Sequence, residues 1–290
     1  MSLEQTFQIQ DLQLAAQRWH TGARIPVIAL HGWLDNAESF GPMAAFMPDV
    51  DLVALDMAGH GWSDHRAAHA NYLIWDDLRD ILAVADALGW THFGLLGHSR
   101  GGIVSALLAA ACPERIVAVG LIDGLWAQTC EAQHAPAQLA KALQASRSSR
   151  ETVFGSLAEM VALRMRSGFP LGEIAAQQLV QRSAVQTESG LRWRSDPRLK
   201  HPSMFMLTPE QQSAFLQALT VPVHLALAES GLVLAYPDYV QRLEALPRIE
   251  WSLHKGDHHL HMEAGAQALG DIFNRWFLQI VQNGLRVYPC

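Results

Sequence analysis

Short, continuous apolar runs alternate along this chain with segments of helical periodicity. The runs are Pro26-Val27-Ile28-Ala29-Leu30, Asp51-Leu52-Val53-Ala54-Leu55, residues 93–96, residues 116–122 and residues 221–227. Runs of this length, apolar on successive residues, suit parallel strands covered on both faces. Arg248-Ile249-Glu250-Trp251-Ser252-Leu253 reads as a last strand. Near the N-terminus, residues 7–10 and 12–16 alternate with period two, the pattern of a half-exposed antiparallel pair. Between the runs, Ile74, Leu78, Ile81, Leu82, Ala85 and Leu88 fall on one helical face, with Asp76, Asp77, Arg79 and Asp80 opposite. Leu269, Ile272, Phe273, Trp276, Phe277 and Ile280 form a second stripe. The alternation predicts an α/β architecture: a mostly parallel, eight-stranded sheet with helices on both faces. Reaction sites of such sheets lie at the carboxyl ends of the strands.

The alternation stops between Trp126 and Gln212. No strand pattern is visible there, and Val153, Leu157, Met160 and Val161, then Ile174, Leu179 and Val180, favour helix. A structureless loop of this length is rare in a compact protein. The expectation is a helical cap over residues 126–212, inserted into a core made of residues 1–125 and 213–290.

One run ends in chemistry. Residues 93–96 lead into Gly97-His98-Ser99-Arg100-Gly101, and a small-residue helical run, residues 101–109, follows. A G-x-S-x-G serine on a sharp strand-to-helix turn holds its hydroxyl clear of the sheet, and only glycine fits beside so tight a turn. A serine nucleophile needs a base, and the base needs an orienting acid. The chain order Ser, acid, His places the base late, in Lys255-Gly256-Asp257-His258-His259-Leu260-His261-Met262-Glu263. His258 comes first after the strand and the Gly256 turn, and is the preferred base; His261 and Glu263 read as the start of the closing helix. A metal reading of the three histidines lacks the H-E-x-x-H spacing. The acid has three candidates: Asp123 at the end of the 116–122 run, Glu229 after the 221–227 run, and Asp238 beyond it. Asp123 stands where a carboxylate reaches an imidazole, although Asp also serves turns in such places. Two backbone N–H groups should face the developing oxyanion. Those of Arg100, directly after Ser99, and Trp33, in the turn after residues 26–30, are expected to do so. Asp56-Met57-Ala58-Gly59-His60-Gly61-Trp62-Ser63 is read as scaffold at the rim of the site, and Trp33 and Trp126 as the tryptophans lining a pocket.

Composition narrows the rest. Of 290 residues, 50% are hydrophobic and 17% charged, which argues for an ordered, well-cored protein. The net charge of −7, with no basic block, argues against nucleic-acid binding. Cys112, Cys130 and Cys290 are odd in number, match no metal-binding spacing, and read as reduced thiols. The absence of a secretory signal pattern and of a long apolar run predicts a cytoplasmic protein without membrane association.

Together, His31-Gly32-Trp33-Leu34-Asp35-Asn36-Ala37-Glu38-Ser39-Phe40, Asp56 to Ser63, Gly97-His98-Ser99-Arg100-Gly101-Gly102 and His258 to Glu263 resemble the α/β-hydrolase fold superfamily, in its epoxide-hydrolase and haloalkane-dehalogenase-like branch. Within it the chain looks most like the serine hydrolase-like proteins. The resemblance implies Ser99 as nucleophile, His258 as base, the Trp33 and Arg100 amides as oxyanion donors, and a cap after Asp123. It implies acyl transfer rather than dehalogenation or epoxide opening, because those relatives carry Asp at the nucleophile position. One departure stands out. The commonest acid of the family follows the strand before last in a G-x-x-D pattern, and here Ala228-Glu229-Ser230-Gly231 puts Gly in its place. Some relatives move the acid to the end of the preceding strand, where Asp123 lies. The expected activity is hydrolysis of a small carboxylic ester or related acyl bond, without cofactor or metal, by a monomer or homodimer whose partner is a small acyl substrate. The alternatives are carbon–carbon hydrolysis or perhydrolysis at the same site, or a small-ligand receptor on a hydrolase scaffold.

Overall fold

The computed structural model describes residues 2–145, 152–166 and 168–283; Cys290 lies outside them. The strands are β1 (Leu3–Ile9), β2 (Leu12–Trp19), β3 (Ile25–Leu30), β4 (Val50–Leu55), β5 (Phe93–His98), β6 (Ile116–Ile122), β7 (Ala184–Thr187), β8 (Gly190–Trp193), β9 (Val223–Ser230) and β10 (Ile249–Asp257). The helices are α1 (Gly41–Ala44), α2 (Ile74–Ala87), α3 (Arg100–Ala111), α4 (Ala135–Ala145), α5 (Leu157–Arg166), α6 (Glu173–Ser183), α7 (Pro209–Gln217), α8 (Tyr239–Glu244) and α9 (Ala266–Gln282).

Eight strands form one sheet in the order β1-β2-β4-β3-β5-β6-β9-β10. The pairings of β1 with β2 and of β2 with β4 are antiparallel, and all others in the sheet are parallel. The uninterrupted runs of the sequence are explained by burial: every residue of β4, β5 and β6 is buried. Successive residues of one strand feed opposite faces. Ile28 and Leu30 join α2 and α3 in one core, whereas Val27 and Ala29 join α1 and α9 in the other. The chain leaves β3 for β4 on one side and then crosses to β5 on the other. The carboxyl end of β3 is therefore a switch point, where open α/β sheets form clefts.

The segment between β6 and β9 holds α4 to α7 and the β7–β8 hairpin. The hairpin corrects the expectation of no strand between Trp126 and Gln212. Its strands are four residues each and only half buried, so no period-two pattern stands out. Gly190, at φ +128°, makes the reversal, and Thr187 Oγ1 donates to its carbonyl at 2.7 Å. Phe154, Met160, Val161, Leu179 and Val180 form a separate small core with Met262 from the main body. Polar contacts tie this segment down. Asn36 Nδ2 donates to Leu179 O and Ser183 Oγ, and the buried Arg182 pairs with Asp56 and Glu4. Cys112 caps α3 and Cys130 lies in the segment after β6; both are free thiols. Among the described residues, no helix is long and apolar enough to cross a membrane.

Candidate active site

Ser99 sits on the turn between β5 and α3 at φ +52°, ψ −117°, a conformation that costs a non-glycine residue about 1–3 kcal/mol and must be imposed by its surroundings. The surroundings are glycines. A Cβ at Gly97 would strike the Gly101 backbone, and one at Gly101 would strike the Leu30 carbonyl; at Gly124 it would strike Ser99 itself. Ser99 N donates to Ile122 O at 3.0 Å, so the turn is also pinned to the end of β6.

The structure brings Ser99, His258 and Asp123 into one line. Ser99 Oγ lies 2.9 Å from His258 Nε2, and His258 Nδ1 lies 2.6 Å from Asp123 Oδ2. A carboxylate on Nδ1 fixes the proton there and leaves Nε2 to accept from the serine hydroxyl. Asp123 directly follows β6, is fully buried, and also accepts the Leu232 amide at 2.6 Å. The other two candidate acids are not part of this group. Glu229 is exposed near the end of β9, and Asp238 pairs with Arg242 at 2.8 Å on the surface.

The three histidines of the 258–261 stretch part company. His258 joins Ser99; His261 Nε2 lies 2.7 Å from Ser39 Oγ; His259 Nε2 lies 3.1 Å from Asp35 Oδ2 and 3.2 Å from an Arg164 nitrogen. His98, for which the sequence offers no role, donates from Nε2 to the His258 carbonyl at 2.9 Å and so fixes the loop that carries the base. Burial first, and the neighbouring imidazoles second, hold His98 and His261 well below the ordinary imidazole value, so both are neutral at pH 7. Ligand atoms of Asp35, His98 and His259 approach within 4.8 Å of one another, the one such cluster among the described residues. The Arg164 guanidinium, 2.6 Å from Asp35 Oδ1, already supplies a positive charge to this carboxylate. Burial alone would raise the Asp35 carboxyl, but His259 and Arg164 outweigh it and hold the group well below the usual range.

Trp33 lines the same cavity as Ser99, and Arg100 follows Ser99 at the start of α3. The Arg100 amide, at the first position of α3, has no intrahelical acceptor. The Arg100 side chain turns away to pair with Asp77. Two neutral histidines shape the turn that carries Trp33. His60 Nε2 accepts the Leu34 amide at 3.3 Å, and His31 Nε2 accepts the Met57 amide at 3.1 Å. Burial is the main cause that lowers His60 to about 4 and His31 to about 3.

A cavity of about 380 Å³ opens over Ser99. Trp33, Leu34, Leu163, Phe169 and Trp193 give it apolar walls, and Phe169 lies against His258 with ring centroids 4.1 Å apart. Arg164, Lys200 and Asp35 are its charged lining. Trp126 is not part of it: this residue is buried in the core, edge-on to Tyr236, which corrects the expectation that it lines the pocket. Leu163 and Phe169 come to the cavity from the segment inserted between β6 and β9. Trp62 lies under the Arg182 guanidinium at 4.5 Å, a scaffold contact. Arg164, Trp193 and Lys200 carry no sequence signal, because only the folding of the inserted segment brings them to Ser99.

Residues 25–264 match the alpha/beta hydrolase fold family. A serine hydrolase-like protein of Dictyostelium discoideum is 26% identical over 283 residues, covering 92% of this chain and 79% of the relative. A hypothetical protein of Pseudomonas aeruginosa PAO1 of known crystal structure superimposes with a TM-score of 0.92 at 45% identity, covering 95% of this chain and 99% of the other. The thioesterase domain from the curacin biosynthetic pathway superimposes with a TM-score of 0.82 at 25% identity, over 94% of this chain and 99% of that domain.

Proposed function

The chain belongs to the α/β-hydrolase fold family, and from that premise we propose that it is a serine hydrolase of small carboxylic esters or thioesters. The observation that carries the reading is the unbroken line from Ser99 Oγ through His258 to Asp123, at 2.9 and 2.6 Å. As His258 Nε2 takes its proton, Ser99 Oγ attacks the substrate carbonyl. Asp123 holds the ring in the productive tautomer and stabilises the imidazolium. The amides of Trp33 and Arg100 face the oxygen that gains charge, each donor contributing about 3–4 kcal/mol to the transition state when aligned. His258 returns the proton to the leaving alcohol or thiol. It then removes a proton from water, which attacks the acyl-enzyme and frees the acid and Ser99. Serine, histidine and water account for every proton and bond in this cycle, which therefore calls for no cofactor. The inserted segment over residues 126–212 acts as the cap that sets substrate size. The family resemblance to serine hydrolase-like proteins and the thioesterase-domain likeness support the class without specifying the acyl group.

A p-nitrophenyl ester series from acetate to decanoate tests the reading, with Ser99→Ala beside the wild type and a fluorophosphonate label as an activity-independent readout. The expected outcome is hydrolysis and labelling by the wild type and neither by Ser99→Ala, with unchanged thermal unfolding. Equal turnover by the two proteins removes Ser99 from the mechanism.

A further inference from the structure

The cavity over Ser99 is not electrically neutral. Apart from imidazoles, its ionisable lining consists of Asp35, Arg164 and Lys200. Asp35 and Arg164 are within 2.6 Å and form a buried pair. Lys200 has no carboxylate partner among the described residues, so the cavity retains one positive charge.

The turn that carries Lys200 is held in place, although the lysine itself is exposed. It ends the 3-10 turn Pro197–Lys200, whose entry is capped by the Asp196 side chain accepting the Arg198 amide. The Arg198 guanidinium is tied to Asp196 and to the carbonyls of Arg66, Ala67 and Ala70. Trp33 Nε1 donates to Leu199 O at 3.0 Å, which couples the turn to the residue that faces the oxyanion position. The backbone of Lys200 is thus fixed at the rim, while its flexible stem lets the ammonium follow a ligand. Lys200 and Ser99 line the same cavity, and Trp33, Leu163, Phe169 and Trp193 supply its apolar walls. A concave site with low-dielectric walls focuses the field of a single charge on what enters it.

We propose that the natural substrate is an ester or thioester whose acyl chain bears a carboxylate, and that Lys200 receives this carboxylate while the aromatic walls hold the carbons between it and the scissile carbonyl. The proposal rests on the serine-hydrolase reading and deepens it: it assigns half-esters of dicarboxylic acids as the substrate class. Arg164, consumed by Asp35, keeps the carboxylate from being repelled by Asp35 without competing as its main partner.

The test compares kcat/KM for p-nitrophenyl hydrogen glutarate and its neutral counterpart p-nitrophenyl hexanoate, in the wild type, Lys200→Met and Lys200→Arg. The preference for the anionic ester over the neutral one should fall by about fivefold in Lys200→Met, through KM, and be retained in Lys200→Arg, the size expected of a partly exposed ion pair. It should also shrink when the salt is raised from about 0.05 to about 0.5 M, as the screening length shortens. An unchanged preference in Lys200→Met, with both esters hydrolysed, overturns the charge assignment and leaves the hydrolase reading standing. Hydrolysis of neither ester overturns the hydrolase reading. In that case calorimetric binding of glutarate to the wild type and to Lys200→Met decides the charge assignment by itself: weaker binding to the variant supports it, and equal or absent binding rejects it.

Discussion

Asp123 and Gly231 occupy one position from opposite sides: a Cβ built on Gly231 would overlap the Asp123 carboxylate. The glycine found where the family most often has its acid is therefore the space that an acid at the end of β6 requires. Asp123 itself is held at φ +42° and takes the Leu232 amide from the chain just beyond Gly231. This relationship yields a reciprocal prediction. Asp123→Asn should lower kcat by about 10⁴, the loss expected when the base keeps its place but not its tautomer. Gly231→Ala should push the carboxylate off His258 Nδ1 and reduce kcat at least about tenfold while leaving the fold intact, since the three atoms nearest the added methyl all belong to the Asp123 carboxylate. In the double variant Asp123→Gly/Gly231→Asp the acid is moved to the β9 side, and activity should recover above that of Asp123→Gly alone. Ester turnover by the four proteins checks the series; Gly231→Ala at wild-type rate contradicts it.

The same pair shows how far the sequence was legible. The strand after which Asp123 falls, the turn carrying Ser99 and the loop carrying His258 are written locally, as apolar runs ending in Gly-rich turns. Choosing among Asp123, Glu229 and Asp238 needed the sheet order, because of β6 and β9 only β6 lies directly beside β5. The cavity walls were less legible. Phe169, Trp193 and Lys200 line the cavity over Ser99 through the fold of the inserted segment, which no periodicity encodes. The β7–β8 hairpin escaped for a related reason: strands four residues long and half buried on both faces leave no alternation to read.

The buried pair of Asp35 and Arg164 crosses between the main sheet's loops and α5, with side-chain exposures of 1% and 14%. Removing one partner of such a pair leaves a charge in a poor solvent and typically costs about 3–5 kcal/mol. Arg164→Met should fall near the lower end, about 3 kcal/mol, because His259 remains beside Asp35. Asp35→Asn added to Arg164→Met should restore most of the loss, since no uncompensated charge then remains. Urea unfolding of the two single variants and the double variant gives the coupling. Additive losses would mean that the pair contributes nothing as a pair.

His31 and His60 make the turn behind Trp33 sensitive to acid. Each ring is fully buried, and each accepts a backbone amide on Nε2 while donating from Nδ1 to a carbonyl, Gly32 O for His31 and Ala58 O for His60. Protonation would turn each accepting nitrogen into a donor facing another donor, and burial further opposes the charge. Their folded-state values of about 3 and about 4 lie below the unfolded 6.5. Between those limits the unfolded chain binds more protons, so stability is complete above the unfolded value and drains away as pH falls. At about pH 5 each histidine costs about 2 kcal/mol relative to about pH 8. The pair together removes about 4 kcal/mol, a large share of a domain's usual 5–15 kcal/mol. His98 and His261, also lowered, act in the same direction. Urea midpoints measured from about pH 8 to about pH 5 should therefore drop steeply below about pH 6.5, and His60→Gln should show a shallower slope from a lower starting stability. A midpoint independent of pH over this range would mean that these rings are protonated at no cost in the folded protein, contrary to the hydrogen bonds that hold them.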